Sequence, residues 1–98
     1  MSTVRFAKAL ADETRQKIMS LCCCKHLSVT DIAQQMGVSQ PTVSHHLKIL
    51  RDAELVITRR SGREIYYSLN QKKLAGDCCQ VAQIFAPEVE IIQINEKK

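Results

Sequence analysis

Apolar residues recur at helical spacing through the first quarter of the chain and predict two helices there. Residues 4–10 form the first, and Asp12 is a suitable N-cap for a second helix that runs from Glu13 towards Cys23. Both segments are therefore predicted to be mainly helical. One face of the second helix carries Ile18, Leu21 and Cys22.

A short helix, a turn and a longer helix are predicted next. Ser28 and Asp31 have the spacing of a capping box that opens a third helix, and Gly37 supplies the left-handed residue that ends it. Ser39 then caps a fourth helix, which tolerates Pro41 in its first turn. Apolar residues at i, i+4 and i+7 define the buried face of the fourth helix, so polar side chains point outward. That buried face consists of Val43, Leu47 and Leu50.

The pattern changes to extended structure after the fourth helix. Residues 55–58 and 65–69 are rich in β-branched and aromatic side chains and flank the turn-forming pair Ser61 and Gly62, which predicts a hairpin. Helical spacing then returns in a last apolar stripe, which Pro87 ends at about Phe85. The predicted order is ααααββα, mainly α with one β-hairpin. The stripe consists of Leu74, Cys78, Val81, Ala82 and Phe85.

The chain of 98 residues is predicted to be one domain, because a chain this short builds a single hydrophobic core. No repeat or flexible linker divides residues 1–98, and residues 87–98 are left as a C-terminal tail without a structural prediction. No apolar run approaches the roughly 18 residues that cross a bilayer. Charged Arg5 and Lys8 stand where a secretory signal would be apolar. We therefore expect a cytoplasmic protein with no membrane partner.

Two helices joined by a Gly-containing turn and followed by a basic hairpin predict a winged helix-turn-helix. In this arrangement one helix enters the major groove of DNA and the hairpin, or wing, reaches the backbone. Short polar side chains suit base edges, whereas cationic side chains suit phosphates. The predicted base contacts are Gln40, Thr42, Ser44 and His45, and the predicted phosphate contacts are Lys48, Arg59, Arg60 and Arg63.

The same elements also resemble a known family. The segments ADETR at residues 11–15, SQPTVSHHL at residues 39–47 and GREIYY at residues 62–67 are similar to motifs of the ArsR/SmtB repressors, and the similarity spans residues 5–85. The resemblance implies a transcriptional repressor and not an enzyme. It further implies a homodimer joined through the first and last helices, with each fourth helix on one half of an inverted repeat in operator DNA. The apolar stripe of the last helix also requires a partner surface.

Relatives in this family sense zinc, cadmium, nickel, arsenic, antimony or oxidants, so the inducer must be inferred from this chain's own ligands. A zinc site between the last helices needs Asp and His pairs, and this last helix has Asp77 but no histidine. The Cys-x-Cys of many arsenic and cadmium sensors is missing from residues 27–31. The remaining candidates are the five cysteines, in two groups: Cys22, Cys23 and Cys24, and Cys78 and Cys79.

Sulfur ligands alone favour trivalent arsenic or antimony, which take three thiolates, over cadmium or zinc, which prefer four ligands. Three consecutive residues cannot all face one ion on an intact helix, so a third sulfur is expected from Cys78 or Cys79, within a subunit or across the dimer. If the last helix began at Asp77, both would lie in its first turn, where thiol ionisation is favoured. His26 is a nitrogen ligand that would favour zinc or cadmium.

Three alternatives stay open at this point. A redox or persulfide switch would link one cysteine of the second helix to one of the last. Cys22 and Cys78, which fall on apolar faces, are also compatible with simple burial as small hydrophobic residues. A dithiol enzyme or a structural zinc module is disfavoured because the sequence contains no Cys-x-x-Cys and no catalytic motif.

Overall fold

The computed structural model describes residues 2–89. Within that range the chain forms a winged helix-turn-helix, as the sequence predicted, with one additional short strand. The segment of residues 87–98, which the sequence analysis left as a C-terminal tail, falls largely outside the described range. The elements in chain order are α1 (Ser2–Leu10), α2 (Glu13–Leu21), β1 (Leu27–Ser28), α3 (Val29–Met36), α4 (Gln40–Asp52), β2 (Val56–Ser61), β3 (Glu64–Leu69) and α5 (Gln71–Phe85).

Helix α2 begins where the sequence predicted but ends earlier. The Asp12 carboxylate accepts a hydrogen bond of 3.0 Å from the backbone N–H of Arg15, which caps the helix and lowers the pKa of Asp12. The last helical residue is Leu21, and Cys22 is the C-cap. The expected continuation to Cys23 is wrong. The carbonyl of Cys22 turns out of the helix and accepts a hydrogen bond of 3.0 Å from the N–H of Leu69.

The helix-turn-helix pair α3 and α4 forms as predicted. Ser28 and Asp31 make both bonds of the capping box, and Gly37 ends α3 in the left-handed conformation with φ 69°. Ser39 caps α4, with Pro41 in the first turn. The predicted inner face of α4 is buried: Val43, Leu47 and Leu50.

The wing is part of a three-stranded antiparallel sheet with the order β1-β3-β2. Strands β2 and β3 pair from Val56 with Leu69 to Ser61 with Glu64, and Gly62 turns the hairpin. Strand β1, which the sequence analysis missed, adds the pairs Leu27 with Tyr67 and Ser28 with Tyr66. A strand of two residues is too short to show an alternating pattern.

Helix α5 begins at Gln71, with Asn70 as its N-cap. Cys78 and Cys79 therefore lie in the third turn, because the condition for placing them in the first turn, a helix that begins at Asp77, is not met. The predicted end at Phe85 is confirmed. The stripe is only partly covered within one subunit, because Leu74 is half-buried while 78% of Phe85 is exposed.

The hydrophobic core lies between the helices and the base of the sheet. Its side chains are mostly aliphatic, as the composition predicts, and helix α1 supplies Phe6. Among the described helices, none is long and apolar enough to cross a membrane. The largest fully buried side chains are Ile18, Ile32, Leu47, Leu50, Leu55, Val43 and Cys22.

Candidate nucleic-acid interface and cysteine cluster

The outer face of α4 presents the polar side chains that the sequence analysis assigned to DNA. This face is fixed by burial of the opposite one, which packs against α2 and α3. The exposed residues are Gln40, Thr42, Ser44, His45 and Lys48.

These side chains differ in how much hydrogen-bonding capacity the fold already uses. The hydroxyl of Thr42 accepts a 2.9 Å bond from the hydroxyl of the cap residue Ser39, and Lys48 lies 3.5 Å from Asp52 in a solvent-exposed ion pair. Within residues 2–89, the side chains of Gln40, Ser44 and His45 make no hydrogen bond. Their donors and acceptors are therefore available to a partner molecule.

Helix α4 is held against the first two helices by a contact between Arg15 and His46, to which the sequence analysis assigned no role. The guanidinium of Arg15 lies 3.1 Å from Nδ1 of His46 and also donates to the carbonyls of Ala9, at 2.8 Å, and Lys8, at 3.0 Å. His46 is half-buried and serves in packing and hydrogen bonding on the inner side of α4. Arg15 was not singled out, although it lies in the ADETR motif.

The three cationic residues of the wing, Arg59, Arg60 and Arg63, are all exposed. Strand register places Arg59 beside Tyr66 and Arg60 beside Ile65, on opposite faces of the hairpin. Arg63 follows Gly62 in the turn. The wing can therefore present positive charge on either face and at its tip.

Cys22 differs from the other cysteines because its side chain is completely buried. Desolvation, with a smaller effect from Cys23, raises the pKa of its thiol to about 11. A thiol in this position behaves as a small hydrophobic residue, as the burial alternative expected. Cys78 does not follow that alternative, because its side chain is exposed.

Cys23 and Cys24 form a close pair at the surface, with their Sγ atoms 3.3 Å apart. The hydrogen bond between the two thiols is the main cause of the raised pKa of Cys23. Cys24 is exposed and Cys23 is half-buried. Two neighbouring thiols at this separation are suited to chelate one soft ion.

The structure brings one cysteine of each group to the same place. Cys23 and Cys78 both line an open, mainly apolar hollow of about 570 Å³ between α2, β3 and α5, which we call the α2–α5 hollow. Although Cys78 is exposed, the partial desolvation of its thiol by the surrounding chain, followed by the charges of Asp77 and Cys79, raises its pKa. Cys79 does not line this hollow. The other lining residues are Leu10, Gln16, Met19, Ser20, Leu69 and Leu74.

No group of three His, Cys, Asp or Glu side chains is close enough to hold a metal ion within the described part of one subunit. Asp77 is already engaged, because its carboxylate lies 2.7 Å from Nζ of Lys73. A three-sulfur site would therefore require a change of side-chain or backbone conformation, or a sulfur from a second subunit.

The surface cysteines lie in a segment that is tied to the wing and to α5. We call residues 22–28 the cysteine arch. One end is held by the bond from Leu69 N–H to the Cys22 carbonyl, and the other by pairing of β1 with β3. In addition, the Gln71 side chain donates a 2.6 Å bond to the carbonyl of Cys23. A movement of the Cys23 backbone would therefore strain or break its hydrogen bond to the first turn of α5.

Comparison with known proteins agrees with this geometry. The family model described as bacterial regulatory protein, arsR family, matches residues 12–58, from the start of α2 into β2. The transcriptional repressor SdpR of Bacillus subtilis is 46% identical over 63 residues, which cover 64% of this chain and 70% of SdpR. An arsenical resistance operon repressor of Staphylococcus aureus is 44% identical over 63 residues, covering 64% of this chain and 61% of the repressor.

Solved structures share the fold over most of the chain. An ArsR-like transcriptional regulator from Rhodococcus sp. RHA1 has a TM-score of 0.81 at 28% identity, covering 88% of this chain and 79% of that chain. A homodimeric winged helix-turn-helix DNA-binding domain from Mycobacterium bovis, a possible ArsR-family regulator, has a TM-score of 0.71 at 30% identity and covers 89% of this chain and 80% of that chain. This chain belongs to the ArsR family of bacterial regulatory proteins.

Proposed function

We propose that this protein is a transcriptional repressor that binds operator DNA as a homodimer and dissociates when its cysteines bind trivalent arsenic. Antimony in the same oxidation state has the same preference for three sulfurs and is an equivalent inducer in this proposal. The observation that carries the proposal is that Cys23 and Cys78 line one hollow, with Cys24 only 3.3 Å from Cys23. Because a repressor acts on chromosomal DNA, we place it in the cytoplasm.

The DNA-binding half of the proposal rests on the exposed face of α4 and the basic wing. Gln40, Ser44 and His45 have free polar groups near the start of a helix whose inner face is buried, which is where a recognition helix contacts base edges. Lys48 and the three wing arginines supply cations for phosphates. The hydroxyl oxygen of Thr42 accepts a hydrogen bond from Ser39, and the Thr42 O–H stays available to donate to a base or a phosphate.

The homodimer is supported by apolar surface on the first and last helices. Helix α1 packs beside α5, and both helices leave large apolar side chains exposed. Exposed fractions are 57% for Val4, 57% for Ile84 and 78% for Phe85. A second copy that covers these residues would set the spacing of the two α4 helices along the DNA.

For the inducer, Cys23, Cys24 and Cys78 are the most suitable sulfur ligands. Arsenite, As(OH)₃, and three thiols give an arsenic tris-thiolate and three waters, so the reaction needs no oxidant or reductant. Cys22 is too deeply buried to reach the ion without disrupting the core, and Cys79 lies outside the α2–α5 hollow. In this proposal, binding draws Cys78 towards the close pair and displaces α5 relative to α2, which changes the dimer.

The decisive experiment measures DNA binding with and without arsenite. A duplex selected by the reduced protein from a random-sequence pool is followed by fluorescence anisotropy, with a phosphine reductant because dithiols chelate arsenite. We expect Cys23→Ser and Cys78→Ser to bind the duplex normally and to keep it when arsenite is added. The matched control, Cys79→Ser, should release it as the wild type does. If Cys78→Ser released the duplex at the arsenite concentration that releases the wild type, the proposed site would be wrong.

A redox or persulfide switch is a second candidate, because the same hollow contains both Cys23 and Cys78. A peroxide or polysulfide would take two electrons and two protons from the pair to leave a linked form. The same anisotropy assay separates the two functions. A redox sensor releases DNA on oxidation and ignores arsenite, whereas the arsenic sensor responds under reducing conditions. A response to cadmium or zinc that requires His26 would instead indicate a four-ligand site.

A further inference from the structure

A second, smaller hollow lies on one face of the wing. We call it the wing hollow; it measures about 220 Å³ and opens to solvent. Strand register explains why its wing residues meet, because Arg59 pairs with Tyr66 and side chains alternate along each strand. The same alternation places Ser61 on the face of Arg59. The lining residues are His26, Arg59, Ser61 and Tyr66.

His26 reaches the wing hollow because it belongs to the cysteine arch. Strand β1 follows His26 directly and pairs with β3, with Ser28 opposite Tyr66. This pairing brings residue 26, just before the edge strand β1, close to residue 66 on the central strand β3, although the two are far apart in sequence. The unpredicted strand β1 is therefore the element that assembles the hollow.

Every side chain that lines the wing hollow can donate a hydrogen bond. These groups are a guanidinium, two hydroxyls and an imidazole, and none of the lining residues is acidic. Glu64, at the tip of the same face, is exposed, and in the described chain it makes no ion pair with Arg59. A cation surrounded by neutral donors in a small hollow is the arrangement that binds a phosphate oxygen.

We propose that the wing hollow binds one backbone phosphate of operator DNA, with His26, Ser61 and Tyr66 acting together with Arg59. This inference rests on the DNA-binding half of the proposed function. It assigns DNA contacts to His26, Ser61 and Tyr66, which the sequence analysis had not placed at the interface. It also means that one segment, the cysteine arch, carries both inducer thiols and a DNA ligand.

The test compares Tyr66→Phe and His26→Ala with a matched control in the reduced, inducer-free protein. Tyr67→Phe is the control, because Tyr67 lies next to Tyr66 but on the opposite face of β3. Loss of one hydrogen bond to a charged phosphate in each subunit of the dimer should weaken DNA binding by at least about tenfold in each test variant. Because phosphates carry no base sequence, the loss should be equal for the selected duplex and for an unrelated one. Tyr67→Phe should bind as the wild type does.

The outcomes are distinguishable. Wild-type affinity in Tyr66→Phe and His26→Ala, with folding confirmed by thermal unfolding, would overturn the wing-hollow proposal and leave the repressor intact. Failure of the wild type to bind any duplex would overturn both. In a separate experiment without DNA, the protein is titrated with inorganic phosphate, and the NMR signals of the His26 ring are followed. Saturation by phosphate alone, combined with unchanged DNA affinity in the variants, would assign the hollow to a free anion instead.

Discussion

The three consecutive cysteines at residues 22–24 differ in their surroundings, because only the thiol of Cys22 is buried. Cys22 points into the core beside Ile18, while its neighbours Cys23 and Cys24 face the surface. The helical spacing of Ile18, Leu21 and Cys22 left burial of Cys22 open as one alternative to a role as a metal ligand, and the structure decides for burial. What spacing could not predict was the 3.3 Å contact between Cys23 and Cys24, which depends on how the backbone leaves the helix.

Substitution of Cys22 by serine should destabilise the protein without affecting its inducer response. A buried hydroxyl with no partner replaces a sulfur that fills the core, which should lower the free energy of unfolding by about 1–2 kcal/mol. Cys24→Ser, at an exposed position, should change it by less than about 0.5 kcal/mol. Urea unfolding under reducing conditions measures both. Equal stability of the two variants would show that Cys22 is not enclosed as described.

Burial of Cys22 should also make its contribution to stability depend on pH. The thiol ionises near pH 9.0 in an unfolded chain but has a pKa of about 11 in the folded protein. The folded state therefore resists ionisation, so the stabilisation is complete below pH 9 and is lost as the pH rises towards 11. Urea unfolding of wild type and Cys22→Ala should show a stability difference that shrinks over this interval. A difference that is constant from pH 8 to 10.5 would contradict the raised pKa.

At the level of elements, the position of α4 depends on a contact between distant helices. Arg15, near the start of α2, bonds the last carbonyls of α1 and also His46 on α4, so a single guanidinium joins three helices. Its planar, branched donors match this geometry, which a single ammonium group cannot reproduce. The orientation of α4, the proposed DNA-binding helix, is therefore set partly by the contact of Arg15 with His46 on its inner side.

Arg15→Lys should accordingly loosen α4 even though the charge is kept. We expect a loss of roughly 1–2 kcal/mol in unfolding free energy, because two or more hydrogen bonds are removed. DNA affinity should fall as well, since α4 is less firmly positioned. Arg51→Lys is the control for stability, because the Arg51 side chain is exposed on α4 and makes no hydrogen bond among residues 2–89, its hydrogen bonds being made by the backbone. Thermal unfolding compares them, and equal melting temperatures would refute the role of Arg15.

Local sequence signals predicted most element boundaries, and non-local contacts explain the misses. The caps Asp12, Ser28 and Ser39 and the left-handed Gly37 are local features, and each appears where predicted. Strand β1 and the early end of α2 arise from bonds to β3, more than 35 residues away along the chain. The α2–α5 hollow likewise depends on tertiary packing, so the sequence could suggest but not identify which cysteines meet there.

At the scale of the whole molecule, the cysteine arch connects the proposed inducer site with both parts that control DNA binding. Its backbone is held by β3 of the wing at both ends, and Gln71 in the first turn of α5 holds the carbonyl of Cys23. A ligand that pulls Cys23 and Cys78 together must strain these bonds. The free energy of coupling between inducer and DNA is then distributed over the arch, the wing and the dimer helices.

Gln71→Ala tests this coupling apart from either binding site. Removal of the 2.6 Å bond to the Cys23 carbonyl should leave the affinity of the inducer-free protein for DNA unchanged, because the Gln71 side chain bonds to Cys23 and not to a residue assigned to DNA. The factor by which arsenite weakens DNA binding should fall about fivefold, as one hydrogen bond is worth roughly 1 kcal/mol. Gln80→Ala, an exposed position on the same helix, should keep the full factor.

Because linkage is reciprocal, DNA must weaken arsenite binding by the same reduced factor in Gln71→Ala. An undiminished factor, measured in both directions by anisotropy and calorimetry, would mean that the signal travels through α5 packing and not through the arch.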